Sequence, residues 1–196
     1  MAGYAATFDP PPGSGGAPRL RDAAELALAD AGLAPSEVNL VFADAAGQRA
    51  EDVAEARAIA EIFGPRGVPV TAPKTMTGRL GAGGASLDLA AALLALRDQV
   101  IPPTVNVTGP AGDCPIDLVT GRARPAALRT ALVLARGRGG YNAAMVVRAP
   151  APVGPGTAAR QEDGGRRRTT EDDGRRHTTT HDDVRNGRTR RRSGTL

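Results

Sequence analysis

The chain has 196 residues, 41% of them hydrophobic but only 3% aromatic and none tryptophan, so one domain is expected, with a core of Ala, Val, Leu and Ile in close α/β packing. No apolar run approaches the ~20 residues that cross a bilayer, the start lacks the basic-then-apolar pattern of a signal peptide, and the single cysteine, Cys114, rules out an internal disulfide; together these predict a reducing cytoplasm. Residues 1–150 hold 14 basic and 14 acidic side chains and residues 151–196 hold 11 and 7, so the net +4 belongs to the tail and gives no reason to expect nucleic-acid binding by the rest.

Ala2–Thr7 reads as a strand, followed by a loop of three prolines and Gly13–Gly16. Leu20, Ala23, Ala24, Ala27, Leu28 and Ala31 recur at the spacing of one helix face within Arg19–Ala31, and Gly32 supplies a stop. Val38–Ala43 is a short apolar run, the pattern of a buried strand. Glu51–Phe63 is a second helix with acids in its first turn and Gly64-Pro65 beyond its end. Val68–Ala72 is a strand, and Ala85–Asp98 a strongly apolar helix. Ala131–Arg136 and Ala143–Arg148 are strands joined by the glycine-rich turn 137–142. Strand–helix–strand alternation ending in a hairpin predicts a layered α/β domain over 1–150, with a mostly parallel sheet and helices on its faces.

After Arg148 the composition changes to Gly/Pro and then to Arg, Thr, Asp and Gly; from Gln161 onward the only aliphatic side chains are Val184 and Leu196. Such a segment cannot bury enough surface to offset its ordering entropy, so 151–196 is predicted to be a disordered basic tail. His177 and His181 stand four apart, a helical metal-pair spacing. The threonines between them and the lack of a third ligand favour a solvated tail, and interleaved acids weaken a nucleic-acid role. No metal, nucleotide or other cofactor is expected, and no Gly-x-x-x-x-Gly-Lys-Ser/Thr loop is present.

Three loops lie at strand ends, where α/β proteins place their chemistry: Phe42–Gln48, Pro73–Gly84 and 137–142. Lys74-Thr-Met-Thr77-Gly78, leading into a small-residue run and an apolar helix, resembles the Lys-Ser-Met-Thr-Gly-His segment of the β-ketoacyl synthases. Leu94–Asn106, ending in Pro-Pro-Thr-Val-Asn, and Gly137-Arg-Gly139-Gly140-Tyr-Asn142 resemble two further stretches of that family, in family order. The resemblance runs from Met1 to Arg148. It implies the C-terminal half of a thiolase-like fold.

The departures carry as much information. Active ketosynthases use a Cys nucleophile and two His residues for decarboxylative condensation. By the resemblance those His positions hold Asp44 and Arg79, as in the chain-length-factor (ketosynthase β) branch of type II aromatic polyketide synthases. An ionised Asp cannot donate to a thioester oxygen, and Arg cannot exchange a proton near neutral pH. No catalytic set is therefore intact. A vestigial or cavity-lining site is expected at Asp44, Lys74, Thr77, Gly78, Arg79, Gly137, Gly139 and Gly140. Lys74, the chain's one lysine, is expected to pair with Asp44, and Cys114 to be a bystander. The resemblance further implies a non-catalytic partner of a ketosynthase α subunit, shaping the cavity in which a poly-β-ketone grows and served by an acyl carrier protein. The alternatives are a β-ketoacyl synthase-type acyltransferase and a truncated, non-functional fragment. Because the family nucleophile belongs to the other half, a frame opening inside the fold is expected, with one apolar layer face uncovered.

Overall fold

The computed structural model describes residues 1–11 and 13–150. The predicted tail 151–196, with His177 and His181, lies outside the described residues. Among the described residues eight strands and three longer helices follow one another: β1 Gly3–Phe8, α1 Leu20–Asp30, β2 Leu40–Phe42, α2 Arg49–Phe63, β3 Pro69–Thr71, α3 Gly84–Asp98, β4 Val100–Ile101, β5 Asp117–Leu118, β6 Arg124–Pro125, β7 Thr130–Arg136 and β8 Tyr141–Arg148. Every strand and helix expected from the pattern is present. The two-residue strands β4, β5 and β6 are additional, too short to leave a periodic signal in sequence.

Six strands form one sheet in the order β1-β8-β7-β2-β3-β5. The β7–β2, β2–β3 and β3–β5 pairs are parallel, whereas β1–β8 and β8–β7 are antiparallel. The sheet is thus parallel on one side and closed by the C-terminal hairpin on the other. β1 returns to the hairpin's far edge, aligning Gly3 with Val146 and Phe8 with Tyr141.

Strand alternation divides the core into two layers. Val41, Leu132, Leu134, Ala144 and Val146 face α1 and α2, packing on Leu20, Ala23, Ala27, Leu28 and Ile59. Leu40, Phe42, Ala131, Val133 and Val147 face the other way, onto Ala92, Ala95 and Leu96 of α3. Small side chains let the layers approach closely. A methyl group on Gly3 would fall inside contact distance of the Ala27 carbonyl oxygen, so β1 lies against α1 only because that residue has no side chain.

α3 inverts its sequence pattern. Asp88 is wholly buried, while Leu93 and Leu94 are 52% and 49% exposed. Its periodicity is that of a helix with apolar residues all round, and among the described residues only one side has a neighbour. The chain therefore carries the uncovered apolar face that the sequence predicts.

Candidate functional site

Because β2, β3 and β7 are parallel, their carboxyl ends lie at one edge of the sheet. The three predicted loops meet there. Asp44 lies two residues past β2, Lys74 in the single helical turn Pro73–Met76 after β3, and Gly137–Gly140 in the turn after β7. Gly78, at φ 75°, turns the chain so that Arg79 comes back over Asp44.

The centre of the site is a buried set of charges. Lys74 Nζ is 2.5 Å from Asp88 Oδ2 and 3.7 Å from Asp44 Oδ1. The expected Lys74–Asp44 pair is therefore present, but the tighter partner is Asp88, which stands on α3. Arg79 donates to Asp44 Oδ2 at 3.0 Å. Asp44 Oδ1 accepts the backbone N–H of Arg136 at 3.1 Å. Below them Glu55 of α2 accepts the N–H groups of Asp44 at 2.7 Å and Ala45 at 2.9 Å, bracing a loop in which Ala45 has φ 45°.

Three acids thus surround one buried lysine and a half-exposed arginine. Burial pushes the Glu55 carboxyl up to about 7 from 4.5, against the lowering effect of its two backbone donors. Burial also raises Asp88, with the Lys74 bond opposing it, and raises Asp52 at the start of α2. Below about pH 7, with Glu55 protonated, the buried carboxylates of Asp44 and Asp88 face the cations of Lys74 and Arg79, and Glu51 adds a looser contact to Arg79 at 3.9 Å from the half-exposed side. Asp88 Oδ1 has no hydrogen-bond partner among the described residues, so Lys74 is the main compensation for that charge.

Above the cluster lies a cavity of roughly 1380 Å³ between α3, the Gly137–Gly140 turn and the β1–β8–β7 face of the sheet. Arg79, Gly137, Gly139 and Gly140 line it. Asp44 and Lys74 are buried in the wall behind Arg79. Thr77 is exposed and bonds to the Lys74 and Gly78 carbonyls, so it and Gly78 shape the loop rather than the cavity. Tyr4, Phe8 and Tyr141 line the far end; the two tyrosine hydroxyls are 2.8 Å apart and the Phe8 and Tyr141 rings meet edge to face at 5.4 Å. Cys114 is buried and free, and burial raises its thiol, which lowers the thiolate fraction that a nucleophile needs.

Glu55 and Asp88 were not legible as site residues. A lone acid among Leu87, Leu89 and alanines was a usable signal for Asp88, because an unpaired carboxylate is rarely buried. Glu55 gave none, since acids along an amphipathic helix are usually solvated.

Known proteins show the family of the chain. The family described as "Beta-ketoacyl synthase, C-terminal domain" matches residues 2–108. The chain belongs to the β-ketoacyl synthase family. Among its relatives, the granaticin polyketide putative β-ketoacyl synthase 2 of Streptomyces violaceoruber is 63% identical over 71% of this chain and 34% of that protein. The tetracenomycin polyketide synthase ketoacyl synthase β subunit of Streptomyces glaucescens is 57% identical over 76% of this chain and 36% of that protein. The ishigamide ketosynthase/chain length factor superposes with a TM-score of 0.69 at 30% identity, over 77% of this chain and 38% of that one. A type II polyketide synthase acyl-carrier protein in complex with its ketosynthase bound to the hexaketide gives 0.70 at 29%, over the same shares. The chain spans about a third of the length of these relatives. Among the described residues no helix is long and apolar enough to cross a membrane.

Proposed function

We propose that this chain is the C-terminal part of a chain-length-factor-like subunit of a type II polyketide synthase, a partner that shapes the cavity of a ketosynthase and makes no bonds itself. The observation that carries the reading is the Asp44–Arg79 ion pair at 3.0 Å. The family resemblance places two histidines at these positions. A histidine pair can donate to a thioester oxygen and move protons near neutral pH. A carboxylate bonded to a guanidinium cannot move protons in this way, because the carboxylate has none to give near neutral pH and the guanidinium holds its own. The partners of such a subunit are a ketosynthase α subunit and an acyl carrier protein, in a reducing cytoplasm consistent with one free cysteine.

The test is a chimera. Residues 1–150 replace the matching third of the tetracenomycin β subunit, which is co-expressed with its ketosynthase and acyl carrier protein. Polyketide formation that requires the ketosynthase supports the reading. Condensation of malonyl carrier protein by the purified chimera alone overturns it.

A further inference from the structure

The parallel ladder pairs Leu40 with Ala131, Val41 with Leu132 and Phe42 with Val133, and β2 ends there. β7 runs on to Arg136. Its flank is then left with backbone groups that no strand answers, in a site partly closed to water. An unmade bond in such a place is costly. At Arg136 two side chains supply the missing partners. Asp44 Oδ1 accepts the N–H at 3.1 Å, and an Arg79 Nη2 proton goes to the carbonyl oxygen at 3.0 Å. The same Arg79 nitrogen also bonds Asp44 Oδ2 at 3.0 Å. Donor, acceptor and the bond between them close a ring round one peptide residue, much as the backbone of a neighbouring strand would.

We infer that Asp44 and Arg79 act together as a clamp that stands in for the missing strand and holds the Gly137–Gly140 turn as a wall of the cavity. The turn needs an external hold. Gly139 and Gly140 adopt φ 76° and 80°, and glycines lose the most freedom on being fixed. Its other ties are few: Gly137 N–H to the Tyr141 carbonyl at 2.7 Å, and, both at the Gly140 carbonyl, Asp9 N–H at 2.8 Å and Asn142 Nδ2 at 3.2 Å. Arg79, Arg136 and the three glycines 137, 139 and 140 all line the cavity, so the clamp sets the position of one wall. Neither residue of the clamp works alone. Asp44 without Arg79 leaves the carbonyl unanswered, and Arg79 without Asp44 loses the carboxylate that aims it. The two are positioning residues, and their action concerns this chain's own peptide groups, whether or not it serves a ketosynthase.

Amide hydrogen exchange on the full 196-residue chain tests the clamp, comparing Asp44→Ala, Arg79→Ala and the double variant. The Arg136 amide should exchange about tenfold faster in either single variant, the loss expected for a hydrogen bond and its support. The Leu132 and Val146 amides, in the sheet centre, should not change. The double variant should be no faster than the faster single one. Asp44→Asn, whose carbonyl still accepts the N–H but whose amide cannot accept from Arg79, should fall between. An unchanged Arg136 rate in either alanine variant, or effects that multiply in the double one, overturns the clamp. Where an alanine variant loses protection at Leu132 and Val146 as well, Asp44→Asn and Arg79→Lys replace it. Faster exchange confined to Arg136 and the turn then supports the clamp, and no local change refutes it.

Discussion

Replacing Glu55 with Gln should flatten the pH dependence of stability. In the folded chain the carboxyl titrates near 7, against 4.5 for an ordinary glutamate. Between these values the folded state holds a proton that the unfolded state has released. Stability therefore falls as pH rises from about 4.5 to about 7 and is level above that. The size follows from the move from 4.5 to about 7: at ~1.4 kcal/mol per tenfold change this is about 3.5 kcal/mol, an order-of-magnitude figure. Glu55→Gln removes the titration while keeping one of the two acceptors that serve the Asp44 and Ala45 N–H groups. The variant should be less stable than the parent at pH 5 by the ~1–3 kcal/mol of a buried unsatisfied group. It should recover most of that difference, or reverse it, at pH 8. Asp52 and Asp88 are also raised by burial and keep a residual slope in both proteins. Urea unfolding at pH 5 and pH 8 measures the two differences. The same pH dependence in parent and variant would show that Glu55 is ionised throughout, and would refute the neutral-carboxyl account of the cluster.

Three other outcomes are expected. Lys74→Met should cost about 3–5 kcal/mol, because it strands the buried Asp88 charge, whereas Lys74→Met with Asp88→Leu should recover much of the loss; denaturant melts of the three proteins decide this. Phe42→Ala, at a side chain with no exposure between sheet and α3, should cost ~3–5 kcal/mol, and a melt within 1 kcal/mol of the parent would contradict the two-layer core. Leu93→Gln with Leu94→Gln should change stability by less than about 1 kcal/mol, since both side chains are half exposed, while lowering self-association seen by light scattering; a large loss of stability would mean that this face is covered in the isolated chain.

Amphipathic spacing was enough to foresee α1, because its apolar positions recur on one face and all five of Leu20, Ala23, Ala24, Ala27 and Leu28 are buried. The same holds for the central strands, whose continuous apolar runs need cover on both faces. Local signals also located the three site loops, since glycines and prolines mark the places where strands end. Asp44 and Arg79 stood out because they depart from a family pattern and Lys74 because it matches one, and their meeting followed from strands that had to be parallel. What local pattern could not convey was which groups pair across elements. Asp88 and Glu55 come from two helices on opposite faces of the sheet and meet Lys74 and Asp44 only when the layers are assembled. The burial that raises Glu55 is likewise a property of the packed layers and of no residue in isolation. The role of the Asp44–Arg79 pair at Arg136 depends on where β2 stops and β7 continues, a difference of register set by the whole sheet. Periodicity reports which residues want to leave water; it carries no information on which neighbour they find, because that choice is made by contacts between segments far apart in the chain.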